Sequence, residues 1–208
     1  MYHQTRLIRN IIMGKAAETR LTILQKAFEL IYINGYQATS IDDIIATTKV
    51  TKGAFFYHFK NKEEMGLAVI NEMMQQTMGK MLLEPLLTAE NPLMAIYHMM
   101  EYLLMQEPYL QIKYGCPTNN LIQEMAPLND NFSKALTKIM DDVLQSTEKA
   151  VERAKSLNLV RADVNSKQVA IFVSASYGGI RNLGKLYENT DYYRAYLNEL
   201  KDYLNRLE

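Results

Sequence analysis

The 208-residue sequence has no tryptophan and a single cysteine, Cys116. One thiol forms no intrachain disulfide and cannot build a cysteine-based zinc site. Three histidines, His3, His58 and His98, are too scattered to give metal-ligand spacing. Neither a metal nor a cofactor is therefore expected. Nine glycines and five prolines make up under 7% of the chain, against roughly 12% in average usage. A β-sandwich or barrel needs more turn residues, so the shortage points to an all-α fold. Apolar runs are short. Val169–Val173 falls far below the ~18 residues of a membrane span, and no signal-peptide pattern follows Leu7–Met13. The expected setting is soluble and cytoplasmic, with no membrane partner. Residues 1–13 carry no clear pattern, and Met13 is a candidate start.

Net charge is also absent, with 23 basic and 23 acidic residues. The balance is uneven along the chain. Residues 1–65 hold nine Lys/Arg, among them Arg6, Arg9, Lys49, Lys52, Lys60 and Lys62, against six acids. The remainder holds 14 against 17. A basic head on an acidic body suits an anionic partner for the head. With 48% hydrophobic and 22% charged residues, the chain can bury a sizeable core.

Periodicity and capping signals predict about nine helices. The first spans Lys15 to Asn34, with Leu24, Ala27, Phe28 and Ile31 on one stripe and Gly35 as terminator. Ser40, with Asp43 three residues on, resembles a capping box for a short second helix ending near Thr47. The segment 47–50 is a turn that includes Lys49. Thr51 caps a third helix through His58, and Asn61 a fourth from Lys62 to about Leu83. Pro85 and Pro92 bracket a loop. A fifth helix covers Leu93–Gln106, and Pro117 opens a sixth to about Met125. A seventh runs from Asn129 to Ser156. Ser166 caps an eighth to about Tyr187, and Thr190 or Asp191 a ninth to about Leu207. No strand, repeat or low-complexity segment is expected.

Short second and third helices joined by a four-residue turn describe a helix-turn-helix. The third, Thr51–Phe59, packs four aromatic rings and a histidine into five positions. Val50, Phe55 and Phe59 can point inward. Lys52, Gly53, Phe56, Tyr57 and His58 then face out. Lysine can donate to guanine, glycine permits close backbone approach, and rings touch thymine methyls and sugars. The competing reading is that these rings are simply core.

Residues 39–65, TSIDDIIATTKVTKGAFFYHFKNKEEM, resemble the DNA-binding helix-turn-helix of the TetR family of bacterial transcriptional regulators. Val50, Thr51, Gly53, Phe59, Lys62 and Glu63 match the family pattern in order. The resemblance is specific over about residues 15–70 and architectural beyond. It implies a DNA-binding domain at 15–61 and a ligand-binding and dimerisation domain at 62–208. Ser40 and Thr51 resemble phosphate-touching caps. Lys52, Gly53 and Phe56 resemble base-facing positions, and Tyr57, His58 and Lys62 backbone clamps. The family's turn glycine is Lys49 here, a further candidate phosphate contact. If Lys49 kept a left-handed backbone, that would cost roughly 1 kcal/mol or more. Phe56 stands where the family more often has tyrosine.

In the body, the eighth helix carries a small-residue ridge, Ala170, Ser174 and Gly178, that lets another helix approach closely. The ninth carries Tyr193, Leu197, Leu200 and Leu204 on one face. Helices apolar on two faces are buried on two sides, and these residues are the expected homodimer interface. A fully internal core helix is the alternative. The fifth helix is rich in soft side chains, and Tyr97, His98, Met100, Tyr102 and Met105, with Tyr114 and Cys116, are candidate contacts for a small-molecule effector. Cys116 precedes a helix N-terminus, which favours an accessible reactive thiolate, with Lys185 a possible nearby charge. A buried structural thiol is the other reading.

No G-x-S-x-G, H-E-x-x-H, P-loop or Rossmann pattern is present. Asp141 and Asp142 are adjacent on a helix and point different ways. The expected function is a ligand-responsive repressor binding a palindromic double-stranded DNA operator as a homodimer. The alternatives are a DNA-binding protein without an effector and a small helical enzyme.

Overall fold

The computed structural model describes residues 14–208, so the proposed start at Met13 and the charges of Arg6 and Arg9 lie outside the described residues. The described chain is helical, with no strand. It divides into two compact units, one ending at Met74 and one beginning at Gln75.

The first unit holds α1 (Lys15–Asn34), α2 (Ile41–Ala46), α3 (Lys52–His58) and α4 (residues 62–74). Each boundary has a local cause. Gly35, at φ 91°, ends α1, and its N–H donates to the Ile31 carbonyl at 2.9 Å. A left-handed backbone of that kind favours glycine. Ser40 and Asp43 form the capping box of α2: Ser40 Oγ accepts from the Asp43 N–H at 3.0 Å, and the Asp43 carboxylate accepts from the Ser40 N–H at 2.8 Å. Thr51 Oγ1 accepts from the Ala54 N–H at 3.2 Å to start α3. Asn61 Oδ1 accepts from the Glu64 N–H at 2.8 Å to start α4. Such caps satisfy amides that have no partner inside the helix. Ile23, Leu24 and Ala27 of α1, Ile44 of α2, Phe55 of α3, Phe59 and Met65, Val69 and Ile70 of α4 form the core.

The second unit holds α5 (residues 75–88), α6 (residues 92–106), α7 (Pro117–Met125), α8 (Asp130–Ser156), α9 (Ser166–Tyr187) and α10 (Asp191–Asn205). Its core joins Leu86, Leu93, Ile96 and Met100 to Val151 and Ala154 of α8, Val173 of α9 and the apolar face of α10.

The first compact unit takes in residues 62–74, where Met65, Ala68, Val69 and Ile70 are buried and α4 packs on α1. Three expectations change. Pro85 lies inside a helix: the π-helical turn Gly79–Leu83 precedes it, and a widened turn accommodates a ring that lacks an N–H. The loop before α6 thus shrinks to residues 89–91. The cap of α9 is Asn165, whose Oδ1 accepts from the Gln168 N–H at 3.0 Å, with Ser166 the first helical residue. Lys49 avoids the left-handed region. Among the described residues, only Asn158 and Glu188 are non-glycines with positive φ, so the strain expected at the turn is absent.

Candidate nucleic-acid interface and effector body

α3 is divided sharply between two faces. Phe55 is 0% exposed and Phe59 1%, and their rings meet at 5.7 Å between centroids. Phe56 is 46% exposed and Tyr57 78%. Val50 is half-buried, as its inward assignment requires. Lys52 and Gly53 are exposed, and a Cβ placed at Gly53 would meet no atom within 4 Å. Two rings therefore fill the core, while two more stand in solvent with a lysine and a bare backbone beside them. An exposed pair of large rings is costly unless something covers it.

The charged groups around this face differ in availability. Lys52 Nζ donates to Asp42 at 2.9 Å, but both side chains are largely exposed. Such a surface pair is weak and exchanges readily for another anion. Lys62 is half-buried, donates to the Gln37 carbonyl at 3.2 Å and lies 4.4 Å from the Tyr36 ring centroid. It ties the start of α4 to the segment after α1. His58 is half-buried, edge-on to Tyr57 at 5.0 Å. Ser40 is committed to its capping box: its hydroxyl and backbone N–H hold the Asp43 carboxyl below the usual carboxylate range, with Lys62 adding a smaller pull. Thr51 and Lys49 are exposed at the turn and at the start of α3. Arg20, absent from the sequence reading, lies over the Phe59 ring and pairs with Glu72, Nη2 to Oε1 at 2.7 Å. Its place on the buried side of α3 explains why no DNA-facing signal marks it.

In the second unit the expected effector residues separate. His98 and Tyr102 line an open, largely apolar cavity of about 500 Å³ with Leu86, Met94 and Met99. Met100 is buried in the core instead. Tyr97 is half-buried and its hydroxyl reaches Glu101 at 3.4 Å, and burial raises its pKa above the ordinary value. Met105 and Tyr114 are half-buried and do not line that cavity. Cys116 is buried, at the residue that precedes α7. Of the two readings of this thiol, its burial favours the structural one. Lys185 does come close to this segment: its Nζ is 3.5 Å from Asn120 Oδ1, and its Cδ would be 3.2 Å from a Cβ at Gly115.

The expected dimer residues separate. Tyr193, Leu197, Leu200 and Leu204 are buried in the chain's own core. Their stripe faces α6 and α9, the helices that pack on α10. Ala170 is likewise internal. Ser174 and Gly178 instead border a groove of about 370 Å³ that includes Met140, Leu144, Ile171 and Gly179. Ile171, Phe172, Leu183, Leu186 and Tyr187 are exposed large hydrophobic side chains of α9.

Among the described residues no group of three or more His, Cys, Asp or Glu could hold a metal ion, and no helix is long and apolar enough to cross a membrane.

A short capped helix, a tight turn and a second helix with an exposed basic and aromatic face define a helix-turn-helix protein. Residues 23–69 match the model of the tetR family of bacterial regulatory proteins, and residues 92–200 match the tetracyclin repressor-like C-terminal domain. The chain belongs to the tetR family. An uncharacterised HTH-type transcriptional regulator from the lacX 3′ region of Lactococcus lactis is 35% identical over 125 residues, 60% of this chain and 64% of that protein. The HTH-type transcriptional repressor DhaR of Mycobacterium sp. is 25% identical over 77% of this chain and 79% of its own length. Among solved structures, a TetR regulator from Chloroflexus aurantiacus superposes with a TM-score of 0.83 at 23% identity, over 92% of this chain and 96% of that one. The reduced form of Escherichia coli NemR gives 0.77 at 22%, over 88% and 96%. These two likenesses are of fold.

Proposed function

We propose that the protein is a homodimeric repressor that binds a palindromic DNA operator and releases it when a small-molecule effector occupies the second unit. The observation that carries the DNA reading is the divided α3, with Phe55 and Phe59 in the core and Phe56 and Tyr57 in solvent. In the major groove those exposed rings would meet thymine methyls and sugars, and Lys52 would exchange Asp42 for the DNA. Two copies on one operator would read half-sites about one helical turn apart. An effector would act by favouring the conformation that does not fit that spacing. The cavity that includes His98 and Tyr102 supports an effector role, and DhaR's name as a repressor supports the repressor reading. Such a protein works in the cytoplasm, where its DNA is.

The apolar groove and exposed side chains of α9 are the face we assign to the second copy, in place of the leucines of α10. Fragments of genomic DNA retained by the purified protein should share an inverted repeat. Random recovery of sequence would refute the reading. Sedimentation should give a dimer at micromolar concentration. Gly179→Glu should give folded monomers, because a Cβ at Gly179 meets no atom within 4 Å of its own chain.

A further inference from the structure

Among the described residues, Arg181 of α9 is the only charged side chain that is buried, at 0% exposure. None of the observed ion pairs includes it. Its guanidinium donates to the Gly115 carbonyl and reaches the Leu110 and Gln111 carbonyls at 3.5 Å each, the outer limit of a hydrogen bond. Its Nε has no partner. The Tyr193 ring lies 5.6 Å from Arg181 Cζ, and its enclosed hydroxyl also has no partner. One buried locus thus holds a full positive charge and two donors without an acceptor. A buried charge without a counter-charge is strongly unfavourable, and an unmet buried donor adds to it.

We propose that Arg181 and Tyr193 are the recognition point for a small carboxylate effector, whose oxygens replace the distant Leu110 and Gln111 carbonyls. The proposal rests on reading the second unit as an effector-binding body. A carboxylate supplies what the locus lacks: one negative charge, and two acceptor oxygens matched to the fork of Nη1 and Nη2 that now reaches those carbonyls. The tyrosines suit this partner. Burial raises the pKa of Tyr193, with Arg181 opposing the shift and Cys116 adding to it. Tyr177 is half-buried overall with its phenol enclosed, and burial raises its pKa well above the ordinary value, with Cys116 adding and Arg181 opposing. Both stay protonated at neutral pH and so can donate to an anion. The displaced carbonyls belong to a segment whose Tyr109 and Lys113 are already exposed, so they can turn to water. That segment leads through Gly115 and Cys116 into α7, which gives carboxylate binding a mechanical consequence.

The test titrates the full chain with acetate, propionate, butyrate and benzoate, and with the corresponding neutral amides, by calorimetry. At least one acid should bind about tenfold or more tighter than its amide, the effect of one charge-assisted pairing. Arg181→Gln should abolish that preference. Tyr193→Phe, which removes a hydroxyl with no present partner, should weaken acid binding about fivefold or more and amide binding little, and it carries the test if Arg181→Gln does not fold. Acids binding no better than amides, no binding by any acid, or an acid preference intact in Tyr193→Phe would overturn the proposal. Operator retention by the unmodified protein without any carboxylate tests the regulator reading separately. Retention without acid binding overturns the carboxylate site alone.

Discussion

Replacing Phe55 by alanine should strongly destabilise the first unit while leaving the second intact. The ring is fully buried and packs on Phe59 and Phe56, at 5.7 and 5.4 Å between centroids. Truncating such a ring costs about 3–5 kcal/mol through lost burial and the cavity left behind. A unit of this size has a total stability of roughly 3–9 kcal/mol, from about 0.05–0.15 kcal/mol per residue. The substitution therefore removes a third of that stability or all of it. Phe56, one residue on and 46% exposed, should lose only part of its edge-on contact with Phe55, about 0.5–1.5 kcal/mol. A single melting curve reports two units at once, so the assay is hydrogen exchange followed by mass spectrometry. Peptides from residues 15–74 should exchange at least about a hundredfold faster in Phe55→Ala, since each 1.4 kcal/mol is tenfold. In Phe56→Ala the gain should be about tenfold or less. Equal effects of the two substitutions would refute the division of α3 into a core face and a solvent face.

Gly184→Ala should destabilise the second unit by about 1–3 kcal/mol through overpacking, because a Cβ there would collide with Cε1, Cζ and the hydroxyl oxygen of Tyr193. Denaturant unfolding of that unit measures it, and a neutral result would contradict the close packing of α9 on α10. The α2 capping box should be pH-sensitive. The folded Asp43 carboxyl is held below its ordinary value of 3.8 by Ser40, so its contribution is present above that value and is lost as pH falls through the lowered folded value. Amide exchange in α2 should rise in that acid range, and Ser40→Ala, which removes the hydroxyl but keeps the backbone N–H, should reduce the dependence. Cys116, being buried, should resist iodoacetamide in the native protein and react fully in denaturant. Rapid native alkylation would overturn its placement.

Much of the first unit was legible because its boundaries are chemical. Gly35, Ser40, Thr51 and Asn61 each end or cap a helix by an interaction that depends on that residue type, and the helices begin and end beside them. The aromatic excess of Thr51–Phe59 likewise forecast that some rings must face out. The second unit was less legible, because an apolar stripe does not say what covers it. Leu197, Leu200 and Leu204 read equally well as interface or core, and only the placement of α6 and α9 decides for core. Lys62 read as a free phosphate clamp, but Gln37 and Tyr36 lie against it through folding that no local pattern encodes. Arg181 carried no local signal that set it apart from Lys185, one turn on in α9. Its burial depends on residues 110–115 folding over it, some 70 positions away in the chain.

The central claim, that α3 reads DNA with its solvent face, is tested most directly by measuring operator affinity and sequence preference for Lys52→Ala, Phe56→Ala and Tyr57→Ala. The operator is taken from DNA retained by the unmodified protein, and affinities are compared at fixed salt on that operator and on a scrambled one. All three side chains are exposed, so the fold should survive each change. Lys52→Ala and Phe56→Ala should each lower the operator-to-scrambled ratio by about 1–3 kcal/mol for a well-made base contact. Tyr57→Ala should weaken both sequences alike, as loss of a backbone contact does. Unchanged binding in all three folded variants would contradict the assignment of α3 as the recognition helix.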